Sequence, residues 1–352
     1  MPVLRVGIAL SGGVDSTVAA ALLLEQGFSV YGFFMQLPLP HFERQRRKVQ
    51  QVAQDLAIPL YQIDLRRQFT DKVIRYFTQT YLTGQTPNPC VQCNCLLKFG
   101  ILSQIMHTQG MDKVATGHYA QIHHSNQGIT LARGRDLQKD QSYFLAGLSS
   151  EQLALTLFPL GTWTKKDVYQ YAENLGFRFH GEESQDVCFL SQGMPAFLAE
   201  QNIADQPGPL VDKKGKVLGM HKGVWNYTIG QRRGIGIADA APWYVISLDA
   251  RKNSVTIGKK EDLFQNYCLV RHPHWMNSAP AFPWSGLVQL RSRHIPAQAR
   301  LEPAGGNYWR LSFDKAQRAI TPGQFAVFYE KDLVIGSAVI DSSPSHQSEE
   351  DS

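Results

Sequence analysis

Residues 4–10, LRVGIAL, run without a break into Ser11-Gly12-Gly13-Val14-Asp15-Ser16 and then into TVAAALLLEQG, which closes at Gly27. A short apolar run, a glycine turn and an alanine- and leucine-rich stretch ended by glycine spell strand, loop and helix. FSVYGFFMQ (28–36) supplies a second apolar strand. The unit is βαβ, and its crossover demands a parallel sheet covered on both faces. Working outward, Val49, Val52, Ala53 and Leu56 fall at helical spacing, and LYQID follows Pro59 as a strand. Helical FTDKVIRYFTQTYL, a TPNPC turn, helical LLKFGILSQIMHT and strand-like DKVATGHYA continue the alternation. This pattern predicts an α/β module over residues 1–205. From Gln206-Pro207-Gly208-Pro209 the helical period fades, and short β-like segments such as KVLGM and WYVISLD alternate with turn signals. A central β-rich module is expected over 206–265, a small β-barrel over 266–341, and a polar, acidic, disordered tail over 342–352.

The chain has 352 residues, of which 43% are hydrophobic and 18% charged. At roughly 100–200 residues per domain that length suits two or three modules, and the composition excludes a disordered, collagen-like or coiled-coil chain. No stretch approaches the roughly 18 uninterrupted apolar residues of a membrane helix, and no signal-peptide pattern precedes the first strand. The expected setting is cytoplasmic, with no membrane partner. Thirty-five Lys+Arg against 30 Asp+Glu leave a formal charge of +5, which permits an anionic partner without naming one. Of the five cysteines, three crowd into Cys90-Val-Gln-Cys93-Asn-Cys95. Such crowding is unlike a secreted disulfide framework and points to metal or thiol chemistry.

The loop at 11–16 joins a strand to a helix, so its backbone N–H groups and the helix dipole face an anion. No Gly-Lys-Ser/Thr follows, so the Walker A lysine is not indicated. The plainer reading is a glycine-rich helix cap. Cys90 and Cys93 have the spacing of half a zinc site, Cys188 in VCFL suits a small buried hydrophobe, and Cys90, Cys93 and Cys188 together could ligate an iron–sulfur cluster on three thiolates. His118 is equally a satisfied core histidine, Asp15 a helix-start cap, and the basic run 44–48 the wet side of a helix.

SGGVDS closely resembles the signature of the PP-loop ATP pyrophosphatases, which cleave ATP between the α and β phosphates and adenylate a carbonyl or amide oxygen. Thr86-Pro-Asn-Pro-Cys-Val-Gln-Cys-Asn94, Thr116-Gly-His-Tyr-Ala120, Lys139-Asp-Gln-Ser-Tyr-Phe-Leu145, Ser184-Gln-Asp-Val-Cys-Phe189, Tyr227-Thr-Ile-Gly-Gln-Arg232 and Thr321-Pro-Gly-Gln324 narrow the match. Taken in order across nearly the whole chain, they resemble the tRNA-specific 2-thiouridylases. The resemblance implies ATP-dependent replacement of the C2 oxygen of the wobble uridine by sulfur, in tRNAs for lysine, glutamate and glutamine. ATP, Mg²⁺, tRNA and a persulfide-bearing donor protein, a cysteine desulfurase or relay protein, are its implied cofactors and partners. By motif position Cys93 matches the catalytic cysteine and Cys188 the persulfide carrier. Ala9, Leu10, Ser11, Gly12, Gly13, Val14, Asp15, Ser16, Met35 and Gly117 match the ATP site. Asn88, Pro89 and Cys90 match positions at the target base, and His118, Lys139, Asp140, Gln141, Arg291, Ser292 and Gln324 match tRNA contacts. Three departures stand out. The segment after Met35 is short and basic, Ser292 stands where the family usually has Tyr, and Gly181 replaces a frequent Lys. Cys95 matches no family cysteine and Cys268 lies in the β region, and both are expected to be structural. Two other readings are an ATP-dependent ligase or amidotransferase of the same superfamily, indifferent to Cys93 and Cys188, and a zinc-stabilised tRNA-binding protein that releases no pyrophosphate.

Overall fold

A computed structural model describes residues 3–125, 128–179, 187–190 and 193–341. The first strands β1 (Arg5–Ala9), β2 (Ser29–Gln36), β3 (Leu60–Asp64) and β4 (Lys113–Ala115) are all parallel, with Ala9 opposite Phe33 and Met35 opposite Ile63. Two further strands, β5 (Ala120–Ser125) and β6 (Gly128–Arg133), form a hairpin before β7 (Thr156–Leu157) returns to the parallel sheet, whose order is β3-β2-β1-β4-β7. Because side chains alternate along a strand, Phe34 and Ala115 pack with α1 (Val14–Glu25), α2 (Phe42–Asp55) and the helix Lys165–Asn174 through Val18, Leu22, Val49 and Val168. Phe33 and Val114 pack on the opposite face with Phe69, Phe77, Leu97 and Met106. Those come from two long helical runs, 66–82 and 89–108. The α2 stripe is as its spacing predicts, with Val49, Val52 and Ala53 buried.

The chain turns from β1 outward to β2 and β3, then comes back on the other side of β1 to β4. In open parallel sheets, ligands bind outside the carboxyl ends of strands at such a reversal. Here it brings together the loop after β1 and the loop 116–119 after β4.

Strands β8 (Gly208–Val211), β9 (Val217–His221), β10 (Tyr244–Asp249) and β11 (Ser254–Gly258) form a separate four-stranded sheet. Six antiparallel strands, β12 (Phe264–Trp275), β13 (Trp284–Gln289), β14 (Ala297–Gly305), β15 (Tyr308–Arg318), β16 (Phe325–Glu330) and β17 (Leu333–Asp341), close into a barrel through a β12–β17 pairing. Its interior holds Val270, Val288, Leu301, Leu311 and Phe328.

Two local features differ from the sequence reading. The stretch 112–120 is not one strand, because β4 stops at Ala115 and the chain resumes at β5, whose hairpin partner β6 pairs with β17 and so extends the barrel sheet. The TPNPC segment is not simply a turn: Asn88 caps a helix that begins at Pro89, a residue whose fixed φ suits the first helical position. Cys90, Cys93 and Cys95 therefore ride on a helix that continues to Thr108, with residues 93–102 wound in the wider i→i+5 form. Among the described residues, no helix is long and apolar enough to cross a membrane.

Candidate active site

The loop after β1 is tied inward. Ser16 Oγ accepts from the Ser11 backbone N–H at 3.2 Å and donates to the Gly13 carbonyl at 3.1 Å, while Gln45 of α2 donates to the Ser11 carbonyl at 3.1 Å. Gly12 takes a left-handed φ of +75°, and a Cβ there would lie 3.0 Å from Lys48 Cβ. The twelve-residue helix that opens at Val14 turns its amino end toward this loop, the geometry that favours an anion. Of the basic run 44–48, Arg44, Arg47 and Lys48 are exposed and Arg46 pairs with Glu43 at 2.8 Å. Met35, partly buried near the carboxyl end of β2, packs against the Phe33 core.

Asp15 does more than begin a helix. Its carboxylate accepts from Lys165 Nζ at 2.7 and 2.8 Å and from the Tyr119 hydroxyl at 2.6 Å. Gly117 lies directly over the same turn: a Cβ on it would be 2.7 Å from the Asp15 carbonyl carbon and 2.8 Å from Ser16 N. Beyond Tyr119 the contacts continue to Gln141, whose Oε1 accepts from Tyr119 N at 3.0 Å and whose own N–H donates to the Tyr119 carbonyl at 2.9 Å. Asp140 accepts from Gly134 N at 2.9 Å and from the Ser142 hydroxyl at 2.8 Å, and it pairs with Arg133 at 3.5 Å. Lys139 is half-buried and its N–H donates to the Asp136 carbonyl at 3.0 Å.

On the cysteine helix, the Asn88 side chain accepts from Val91 N at 3.4 Å, and Pro89 is buried. Cys90 keeps exposed surface and Cys93 is half-buried, yet both thiols lie deep enough for desolvation to push them up, with Lys98 pulling the other way. Cys188, also surface-reaching, is pushed up to about 12 by desolvation and then by the charges of Cys93 and Cys90. The three thiols therefore feel one another and share the Lys98 field. Phe189 anchors the Cys188 segment edge-on against Phe77 at 5.0 Å and Phe69 at 5.8 Å. Gly181 and Ser184–Asp186 lie outside the described residues. Cys95 fills the space left by Gly147, where a Cβ would come within 2.6 Å of its sulfur, and Cys268 is buried in the barrel core. Among the described residues no three His, Cys, Asp or Glu groups gather as a metal-holding set. Neither the zinc nor the iron–sulfur alternative finds a ligand set there.

His118 is buried, with Nδ1 2.7 Å from Thr116 Oγ1 and its ring 6.0 Å from both Phe99 and Phe158. Desolvation, helped by Lys98, drives its pKa down, so the imidazole is neutral at physiological pH. Arg291 turns inward: its Nη2 donates to the carbonyls of Ala319 at 2.6 Å and Ile229 at 3.1 Å and to the Thr321 hydroxyl. Ser292 is exposed beside it. Gln324 donates to the carbonyls of Thr86 at 2.9 Å and Pro87 at 3.0 Å.

Three family models cover the chain: "tRNA methyl transferase HUP domain" over residues 4–192, "tRNA methyl transferase PRC-barrel domain" over 196–259 and "Aminomethyltransferase beta-barrel domain" over 265–340. A curated "tRNA-specific 2-thiouridylase MnmA" of Desulfotalea psychrophila is 47% identical over 338 residues, which is 95% of this chain and 98% of that protein. Namesakes from Syntrophotalea carbinolica and Magnetococcus marinus are each 43% identical, covering 95% and 96% of this chain and 97% and 98% of their own. The chain belongs to the tRNA-specific 2-thiouridylase family. Among solved structures, the NMN synthetase of Francisella tularensis aligns at 16% identity with a TM-score of 0.36 over 57% of this chain and 74% of that one, too low for any inference.

In this 2-thiouridylase, three residues that sequence reasoning passed over stand at the site. Lys165 and Tyr119 engage Asp15, and Lys98 acts on the thiols. The Thr164-x-x-Asp167 capping box, which places Lys165 at the first helical position after β7, is the local signal that marks it. Lys98 lies five residues past Cys93 in the wide-wound segment, about one turn on. Phe99 and His118 connect that helix to the loop over Asp15.

Proposed function

We propose that this protein is an ATP-dependent tRNA sulfurtransferase of the cytoplasm that converts the C2 carbonyl of the wobble uridine, in tRNAs for lysine, glutamate and glutamine, into a thiocarbonyl. The observation that carries this reading is the pairing of an anion-facing loop with Cys93 and the Cys188 segment, which pack on one apolar cluster through Cys93, Val187 and Phe189, in a chain that matches 2-thiouridylases over 95% of its length. The uridine C2 oxygen attacks the ATP α-phosphorus and pyrophosphate leaves, with the 11–16 loop and the start of α1 receiving phosphate charge. Asp15, already engaged by Lys165 and Tyr119, would be the loop carboxylate nearest a divalent cation bound with ATP, which would supply charge neutralisation on the phosphates. A donor protein transfers its terminal sulfur to Cys188. The Cys93 thiolate then attacks the Cys188 Sγ, the S–S bond of the persulfide breaks, and the terminal sulfur leaves as hydrosulfide. Hydrosulfide adds at C2, AMP departs, and the Cys93–Cys188 disulfide that remains is reduced by an external dithiol.

The test is nucleoside mass spectrometry of unmodified tRNA after incubation with protein, ATP, Mg²⁺ and a persulfide donor. Formation of 2-thiouridine that disappears in Cys93→Ala and in Cys188→Ala, but persists in Cys95→Ala, is the expected result. Pyrophosphate release without 2-thiouridine would instead favour a small-molecule ligase or amidotransferase.

A further inference from the structure

Besides sharing an apolar core with Val91 and Phe99, the barrel grips the segment leading into the cysteine helix through one turn. Residues 321–324 are fastened to β17, since Gly323 N donates to the Ile340 carbonyl at 2.8 Å and Ile340 N to the Gln324 carbonyl at 2.8 Å. Arg291 braces the same turn through Ala319 and Thr321. From this base the turn grips residues 85–87. Thr86 N donates to the Pro322 carbonyl at 2.8 Å, and Gln324 Nε2 donates to the carbonyls of Thr86 at 2.9 Å and Pro87 at 3.0 Å. Gly323, at φ +88°, lies so close that a Cβ would be 2.8 Å from the Thr86 oxygen and 3.0 Å from Thr86 N.

A glutamine side-chain amide has two N–H donors, and both are spent here on backbone oxygens. Proline carries no N–H, so Pro87 and Pro89 give the segment no donors of its own at those positions. Its path is set from outside, and the next residue, Asn88, caps the helix that bears Cys90 and Cys93. We propose that Gln324 is a positioning residue: with Gly323 it clamps the 85–88 segment and so sets the orientation of the cysteine helix. The catalytic consequence rests on the sulfurtransferase reading above, whereas the clamp itself does not.

The experiment uses the full chain without tRNA first. Gln324→Ala and Gln324→Glu, neither of which can donate to the two carbonyls, are compared with wild type by hydrogen exchange over peptides spanning 85–93, with β1 and β4 peptides as reference. Loss of two neutral hydrogen bonds should speed exchange there roughly tenfold and leave the reference peptides unchanged. Gly323→Ala, which pushes the same carbonyl sterically, should reproduce the effect independently. In turnover assays kcat should fall at least about tenfold while the Kd for tRNA stays within about threefold. Unchanged exchange in tRNA-free protein, with or without a weakened tRNA Kd, overturns the proposal. Absence of 2-thiouridine from the wild type would defeat the functional reading alone, since the exchange result is obtained without substrate.

Discussion

Alanine at Gly117 measures how closely the loop after β4 is fitted to the phosphate loop. Gly117 does not use a positive φ, so alanine meets no backbone penalty of its own. The cost is space. The new Cβ would lie 2.7 Å from the Asp15 carbonyl carbon, 2.8 Å from Ser16 N and 2.9 Å from the Asp15 oxygen, whereas non-bonded carbon atoms rest about 3.5–4.0 Å apart. All three neighbours are backbone, so no rotamer can relieve the contact, and the two segments must part by roughly 1 Å to restore that spacing. Overpacking of this kind costs about 1–3 kcal/mol of stability. A phosphate loop displaced by about that distance loses on the order of a hundredfold in rate. The assay is ATP-dependent pyrophosphate release with tRNA present, paired with a thermal unfolding curve. Gly27→Ala is the control: it has a left-handed φ of +82° but nothing within 4 Å of the added carbon, so it loses stability through strain while keeping its rate. Wild-type pyrophosphate release and an unchanged midpoint in Gly117→Ala would refute the claim that this glycine exists to admit the loop.

Two other substitutions probe the site. Lys165→Met leaves Asp15 with the Tyr119 hydroxyl but no cation; pyrophosphate release should fall at least about tenfold, with a raised KM for ATP, and Lys165→Arg should recover part of it. Lys98→Met removes the cation that opposes desolvation at Cys93, so its thiol pKa rises further; because the thiolate is the reactive form, the pH profile of Cys93 alkylation should move to higher pH and the rate at neutral pH should fall, with Lys98→Arg restoring it.

The parallel sheet was legible because each of its parts carries a local signal: β1 and β2 as apolar runs, the glycine loop between strand and helix, and the Val49, Val52, Ala53 stripe of α2. Asn88-Pro89 carried one too, an N-cap followed by a proline at the first helical position, but the two prolines of TPNPC read first as a turn. The β5–β6 hairpin was hidden for another reason. Its membership in the barrel sheet depends on Leu131 and Ala132 meeting Val334 and Leu333, about 200 residues away in sequence, and no local pattern reports a partner at that distance. For Arg291 and Gln324 the fold adds contacts that sequence does not report, to backbone carbonyls of Ile229, Ala319, Thr86 and Pro87. An arginine or a glutamine donates equally well to a phosphate and to a backbone carbonyl, and only the tertiary fold determines which acceptor lies within 3 Å.

The contacts around the site close into a ring. Asp15 meets Tyr119, Tyr119 pairs with Gln141, and its neighbour Asp140 holds Arg133, whose guanidinium lies 3.9 Å from the centre of the Tyr329 ring in the barrel. From the barrel, Gln324 grips Thr86 and Pro87, and Asn88 caps the cysteine helix. On that helix Phe99 faces His118, and Gly117 beside it sits back on Asp15. In the proposed reaction two chemistries act on one uridine in succession, activation at the phosphate loop and displacement by sulfur from the cysteines. The intermediate between them is an adenylated base that water could also attack, so the second group must already be in place when the first has acted. Joining both groups through the same barrel and the same 116–119 loop meets that requirement with packed, short-range contacts. It also explains why the β5–β6 hairpin leaves the parallel sheet to pair with the barrel: it anchors the loop between the two sites from the side opposite β4.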